Sequence, residues 1–280
     1  MEVPSRNKAF PQSMNANYAC ILVDSAQLAR LFKLSWIGKA MPEPGTIQDE
    51  WEGKSAEEIL RWSAQRFGEK VVLSTSFGAE DMVLLDMVSR IDPKVRVFTL
   101  DTGRLPKETY QVMSEARVRY GLPIQTFFPD TTRVEEMVTA HGPDLFYESV
   151  ANRQLCRHVR KVEPLKRAMK EAQAWITGLR REQAASRSLV RKVAEDETRA
   201  GVTKICPLAD WSEEQVWAYI RKWNVPYNAL HDQGYPSIGC APCTRAIKPG
   251  EDKRAGRWWW ENGTKECGLH EHHPVAGAKV

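Results

Sequence analysis

Between residues 70 and 206 the chain alternates short apolar runs with segments of helical period, and this alternation restricts the fold more than any other feature. Lys70-Val-Val-Leu-Ser-Thr-Ser is too short for a helix and is closed by Phe77-Gly78, so it reads as a buried strand. A helix is expected over residues 79–90, a strand over 95–100, a helix over 107–120 and a strand over 124–128. The order returns with a helix around 162–172 and strands at 174–177 and 203–206. Ser55 and Glu58 form a capping-box pair ahead of Ile59, Leu60 and Trp62, and Trp211-Ser-Glu-Glu opens a last helix. Strands separated by helices run parallel, and a parallel sheet needs helices on both faces. The expected class is therefore α/β, with a mostly parallel sheet.

The flanks differ from this body. Residues 1–50 read as a partly disordered leader: Pro4, Pro11 and three Asn precede a short amphipathic helix at 25–38 and a Pro-rich linker at 41–45. Residues 51–225 make the α/β domain. Residues 226–280, rich in Gly, Cys, Arg and Trp, read as an irregular segment packed on the same domain. The most apolar N-terminal stretch is broken by Asp24, Arg30 and Lys33, so it is neither a membrane span nor a signal-peptide core. A cytoplasmic protein with reduced thiols is expected. Forty Lys+Arg against 36 Asp+Glu leave a net charge of +4, too mild to mark a general nucleic-acid binder.

Ligands of open parallel sheets sit beyond the carboxyl ends of the strands. Ser74-Thr-Ser-Phe-Gly78 leaves the first strand with hydroxyls and a Gly, suited to a phosphate or sulfate or to a plain strand–helix turn. No Gly-Lys-Ser/Thr follows, so it is not a Walker A loop. Asp101-Thr-Gly-Arg104 ends the second strand, where Asp can accept from an amino or hydroxyl group and Arg can hold an anion. Gly178-Leu-Arg-Arg-Glu-Gln-Ala-Ala-Ser-Arg187 follows the fourth and is the densest basic stretch. Because it leaves a strand end, an anion clamp through Arg180, Arg181 and Arg187 is favoured over a solvated loop.

Five of the six Cys fall after residue 150, far below the density of a disulfide scaffold. Cys240-Ala-Pro-Cys243 is a redox dithiol or half of a metal site. Its Gly/Pro-rich setting favours the metal, with Cys156 as the upstream contributor. The three thiolates could hold three corners of an iron–sulfur cluster, or zinc together with His158. Cys267, beside His270 and behind several cations, is a nucleophile candidate or a bystander thiol. Cys206 reads as a small core residue and Cys20 has no recognisable context. Trp258-Trp-Trp260 after Arg254 and Arg257 suits loop packing better than base stacking.

Taken in order, these segments resemble the assimilatory sulfonucleotide reductases, the adenylyl-sulfate (APS) and phosphoadenylyl-sulfate (PAPS) reductases, over residues 55–271. Ser74–Gly78, Leu100-Asp-Thr-Gly103, Arg160-Lys-Val-Glu-Pro-Leu165, Gly178–Gln183, His231–Gly239, Cys240–Cys243, Arg254-Ala-Gly-Arg257 and Glu266-Cys-Gly-Leu-His270 carry the resemblance. It implies an adenine-nucleotide α-hydrolase (PP-loop) fold with residues 51–225 as the nucleotide-binding domain. Cys267 would attack the sulfate sulfur, expel AMP and leave an S-sulfonate for a thioredoxin- or glutaredoxin-type reductant. Substrate would meet Ser74, Thr75, Ser76, Phe77, Gly78, Leu100, Asp101, Thr102, Gly103, Lys161, Gly178, Arg180, Arg181, Arg187, Arg254, Arg257 and His270.

The APS branch, which this chain resembles more, also implies a 4Fe-4S cluster on Cys156, Cys240, Cys243 and a second Cys next to the first. Here that position is Arg157. A guanidinium is a poor ligand, so three readings stay open. A fourth ligand could come from His158, Cys20 or solvent; the cluster could be three-iron or labile; or it could be absent. A bound site with an incomplete ligand set is the expectation. No fused thioredoxin-like domain follows residue 280, so a separate reductant is expected, as is a homo-oligomer with neither nucleic-acid nor membrane partners. Rival readings are the same chemistry on PAPS, a PP-loop ATP pyrophosphatase, and a zinc-site RNA-binding protein.

Overall fold

The computed structural model describes residues 50–261. The leader reading, Cys20, Cys267 and His270 lie outside the described residues. Helix α1 (Ala56–Phe67) opens with the expected capping box, in which Ser55 Oγ accepts from the Glu58 amide at 3.2 Å and Glu58 accepts from the Ser55 amide at 2.8 Å. Strand β1 (Val71–Ser74), helix α2 (Ala79–Ile91), β2 (Arg96–Leu100), α3 (Lys107–Tyr120) and β3 (Ile124–Phe127) follow as the alternation predicts. Strands β4 (Ala174–Ile176) and β6 (Thr203–Ile205) stand where apolar runs place them.

Three elements lacked a sequence signal strong enough to assign. Helix α4 (Thr131–His141) buries only Met137, so its apolar stripe is faint. Helix α5 (Val150–Arg157) is short and polar, and strand β5 (Val193–Glu195) is a three-residue edge beyond the basic stretch. The helix expected at 162–172 is α6 (Glu163–Ala168), entered through a wide π turn at His158–Val162. Pro164 explains the turn: it has no N–H, and its ring would crowd the carbonyl four residues back in a regular helix.

The sheet order is β3-β2-β1-β4-β6-β5, with every neighbour parallel except β5 against β6. The chain moves from β1 outward through β2 to β3, then returns to the other side of β1 at β4. That reversal opens a crevice at the carboxyl ends of β1, β2 and β4. Side-chain alternation divides the core. Val71, Leu73, Val97 and Ile176 pack under α1, α2, α3 and helix α7 (Glu213–Trp223), whereas Val72, Phe98 and Trp175 meet Leu165 and Ala168 of α6. After Val225 the described chain is loops and single 3-10 turns. These are pinned to the sheet side by Asn228 Nδ2 to Thr109 (3.0 Å) and by the Ala241 amide to the Arg104 carbonyl (2.8 Å).

Candidate active site

A cavity of about 240 Å³ lies at that crevice. Its floor is the turn after β1. Thr75 is held by its amide to the Phe98 carbonyl at 2.8 Å, and Phe77 is fully buried in the core with a left-handed φ of 60°. Phe77 is thus an anchor under the turn and does not line the cavity, unlike Ser74, Thr75, Ser76 and Gly78. Asp81, from the first turn of α2, accepts from the Ser76 amide at 2.6 Å and from its hydroxyl at 2.7 Å. Desolvation pushes this carboxyl up to about 6 against those two bonds. Gly178, after β4, is required here, because a Cβ would stand 2.5 Å from Asp81 Oδ1. Close approach of the two loops excludes any side chain.

Of the residues expected at the second strand end, Leu100 alone lines the cavity, beside Phe98, Thr99 and Leu105. Asp101, Thr102 and Gly103, expected at the substrate, brace the turn instead. Asp101 Oδ1 accepts from the Gly103 amide at 2.8 Å and from the Tyr110 hydroxyl at 3.0 Å. Thr102 is buried, with its hydroxyl 3.2 Å from Cys240 Sγ and its carbonyl accepting from Arg160 at 2.7 Å. A polar turn at a strand end can face either way, and spacing does not say which.

The basic stretch divides. Arg180 and Arg187 are buried and line the cavity, while Arg181 points away to the Val190 carbonyl (2.8 Å) and to Glu52. Arg180 is bound to Glu80 at 2.8 Å, Glu182 at 3.2 Å and the Trp211 carbonyl at 3.1 Å. Gln183, a lining residue the site reading omitted, accepts from the Arg180 amide and from Arg187 and donates to the Gly178 carbonyl at 3.2 Å.

Opposite the turn, cations from two distant segments converge. Lys161 comes from the π turn; Arg254 and Arg257 come from the C-terminal loops. Arg254 and Arg257 are both buried and reach the Ser237 hydroxyl at 3.4 and 3.3 Å; Arg257 also donates to the Ile238 carbonyl at 3.1 Å. Its Nε is buried with no hydrogen-bond partner among the described residues, an expensive state. Gly239 must lack a side chain, since a Cβ would lie 2.3 Å from the Arg257 guanidinium. Asp81, Ser237 and Lys253 were missed by sequence reasoning; Asp81 alone carried a signal, as an acid in the first turn of the helix behind a hydroxyl loop. His231 also lines the cavity, edge-on to Trp217, and burial holds it below the usual histidine range.

Behind Thr102 sit the three expected thiols. Cys156 and Cys243 pack against Met137, Leu145, Phe146 and Val159, and each is within electrostatic range of the other and of Cys240. Burial raises Cys156 and pushes Cys243 up to about 12, with Arg160, Arg104, Arg257 and Lys161 opposing. Arg157 ends α5 and His158 is exposed. Cys206 is a buried core thiol, as expected. The Trp cluster packs the lobe: Trp260 meets Tyr147 edge-on at 4.5 Å, and Trp258 lies against Arg257 at 4.7 Å.

Comparison with known proteins matches residues 70–246 to the phosphoadenosine phosphosulfate reductase domain family. An adenosine 5'-phosphosulfate reductase of Allochromatium vinosum is 55% identical over 203 residues, 72% of this chain and 79% of that protein. One from Pseudomonas aeruginosa is 42% identical over 231 residues, 80% and 85% of the two chains. A crystal structure of phosphoadenylyl-sulfate reductase from Candida auris, in a phosphate complex, superposes with a TM-score of 0.63 at 32% identity, covering 74% of this chain and 98% of that one.

Proposed function

We propose that this chain, which belongs to the phosphoadenosine phosphosulfate reductase family, reduces adenosine 5'-phosphosulfate to sulfite and AMP. The observation that carries the reading is the convergence of Lys161, Arg254 and Arg257 on the hydroxyl turn at Ser74–Ser76, with an unsatisfied buried donor on Arg257. Similarity to the Allochromatium and Pseudomonas reductases supports APS as the substrate. The nucleoside end lies against the ends of β2 and β4, and the phosphosulfate lies among the three cations.

Cys267 supplies the nucleophile. It lies ten positions beyond Arg257, and that much chain spans at most about 35 Å. The Cys267 thiolate attacks the sulfate sulfur, the S–O bond to the phosphate breaks, and AMP leaves with the electron pair. The cations offset repulsion between thiolate and anion and stabilise the leaving phosphate. His270 belongs to the same tail. A reduced dithiol protein of the thioredoxin or glutaredoxin type attacks Cys267 Sγ, sulfite departs, and the second thiol of the reductant resolves the mixed disulfide. The dithiol is oxidised as the sulfate sulfur is reduced.

Cys156, Cys240 and Cys243 are the residues that would hold an iron–sulfur group, since Cys156 and Cys243 pack in one half-buried cluster with Cys240 and several cations near; Arg157 does not fit the fourth position, and among the described residues no three Cys, His, Asp or Glu side chains are grouped to hold a metal ion. Such a group, when bound, staples α5 to the C-terminal loops. A homo-oligomer acting in the cytoplasm completes the reading, with residues 51–225 binding nucleotide and 226–280 carrying the thiols. Among the described residues no helix is long and apolar enough to cross a membrane.

The test is sulfite release from APS and from PAPS with a reduced dithiol protein. APS turnover lost in Cys267→Ser, with AMP binding kept, supports the reading. Preference for PAPS would assign the chain to the other substrate, and sulfite release by Cys267→Ser would remove the intermediate.

A further inference from the structure

Trp175 is 1% exposed, yet it brings a polar atom to the site. In the register of β4 on β1 it stands opposite Val72, and Ser74 lies two positions on, along the same face of β1. The indole extends along the sheet to that strand end, where its Nε1–H donates to Ser74 Oγ at 2.8 Å. Both residues line the cavity, as does Lys161, four positions before the Leu165 that packs with Trp175. A hydroxyl has one proton and two acceptor sites. With one acceptor site taken by the indole, the Ser74 proton is left to the Ile176 carbonyl at 3.5 Å, a bond too long to be strong and given up at little cost. Arg199 and Lys204 lie 4.8 and 5.9 Å from the indole ring centre and draw electron density from it, which strengthens its N–H as a donor. A hydroxyl that accepts such a bond becomes a better donor itself.

We infer that Trp175 is a positioning residue for the reaction: its N–H fixes the Ser74 hydroxyl so that the single proton turns to an anionic oxygen of the substrate's phosphosulfate. The inference rests on the reading of this cavity as a phosphosulfate site, and adds the group that orients the hydroxyl at its floor. Trp175 acts on the anion through Ser74. An aliphatic side chain at 175 would fill the same place in the core but would leave Ser74 Oγ free to turn its proton elsewhere.

The test is a double-mutant cycle read on KM for sulfite release and on Kd for APS, the latter by calorimetry in Cys267→Ser protein, which keeps the ligand intact. Trp175→Phe retains an aromatic ring and removes the N–H. Ser74→Ala should raise KM and Kd about tenfold, as expected for a hydrogen bond to a charged group. Trp175→Phe should raise both about fivefold, and the double variant should be no worse than Ser74→Ala alone. Losses that multiply would mean that Trp175 acts through packing or by touching the substrate itself, and would overturn the inference. If Trp175→Phe fails to fold, the indole 15N–H resonances decide: the one displaced by Ser74→Ala should move downfield when Cys267→Ser protein is saturated with APS, and Ser74→Ala should abolish that movement. A resonance that stays in place overturns the inference. Protein that binds APS but releases no sulfite removes the proposed reaction and leaves the Kd cycle to decide the role of Trp175; protein that does not bind APS removes both.

Discussion

The cavity is built from two kinds of arginine. In the stretch after β4, Arg180 is tied to Glu80 and Glu182, and Arg181 to Glu52, so their charges are met by carboxylates of the fold. In the C-terminal loops, the hydrogen bonds of Arg257 go to the Ser237 hydroxyl and the Ile238 carbonyl, neutral acceptors that leave its charge in place. Both regions are basic in sequence, but the charges of Arg180 and Arg181 are already met, whereas Arg257 lines the cavity held by neutral acceptors. A cluster of arginines therefore does not mark an anion site until its carboxylates are counted.

The sharpest way to break this comparison is to remove one arginine of each kind. Arg257→Ala should lower kcat/KM for sulfite release by about a hundredfold or more, the usual cost of losing a donor at developing charge. Arg180→Ala should act mainly on stability. It strands the Glu80 carboxylate, 18% exposed, where the buried guanidinium stood, for about 3 kcal/mol in denaturant unfolding. Glu80→Gln in the same chain should recover part of that loss. An Arg180→Ala protein with unchanged stability and abolished binding would put the two arginines back in one class.

Two smaller effects sharpen the contrast. Asp81 anchors Ser76 while ionised, and its pKa is raised to about 6. As pH falls through about 6, KM for the substrate should rise, and Asp81→Asn should lose that acidic limb. Stability should move the other way. A raised carboxyl binds its proton more readily folded than unfolded, so the contribution of Asp81 grows as pH falls from about 6 towards its ordinary value. Parallel loss of stability and binding would show that another group titrates. Smallest of all, Arg181→Ala should leave KM unchanged and cost under about 1 kcal/mol, because its pair with Glu52 is one-third exposed.

Much of this molecule was legible in its sequence. The alternation of apolar runs and helical periods placed five of the six strands, and capping residues fixed the starts of α1 and α7. Helix α4 escaped because it buries a single side chain, and β5 because three residues carry no period. At the site, the hydroxyl turn was read from its place after a strand, whereas Lys161, Arg254 and Arg257 came only with the resemblance; most of the turn and all three cations line the cavity. What order cannot carry is direction. Asp101 and Thr102 turn inward to brace the lobe, Phe77 turns down into the core, and Arg181 turns out to Glu52. Each outcome depends on a partner 2 to 138 positions away, which local composition does not reveal.

The contact between Gly178 and Asp81 has a consequence for redesign. With 2.5 Å between a notional Cβ and the carboxylate, the turns after β1 and β4 behave as one part. A side chain at 178 would meet both Asp81 and the Glu80 Cβ, 2.9 Å away, whereas a residue no larger than Asp finds room at 81. Libraries aimed at new nucleotide preferences would therefore hold Gly178 fixed and vary the turn after β1 around it.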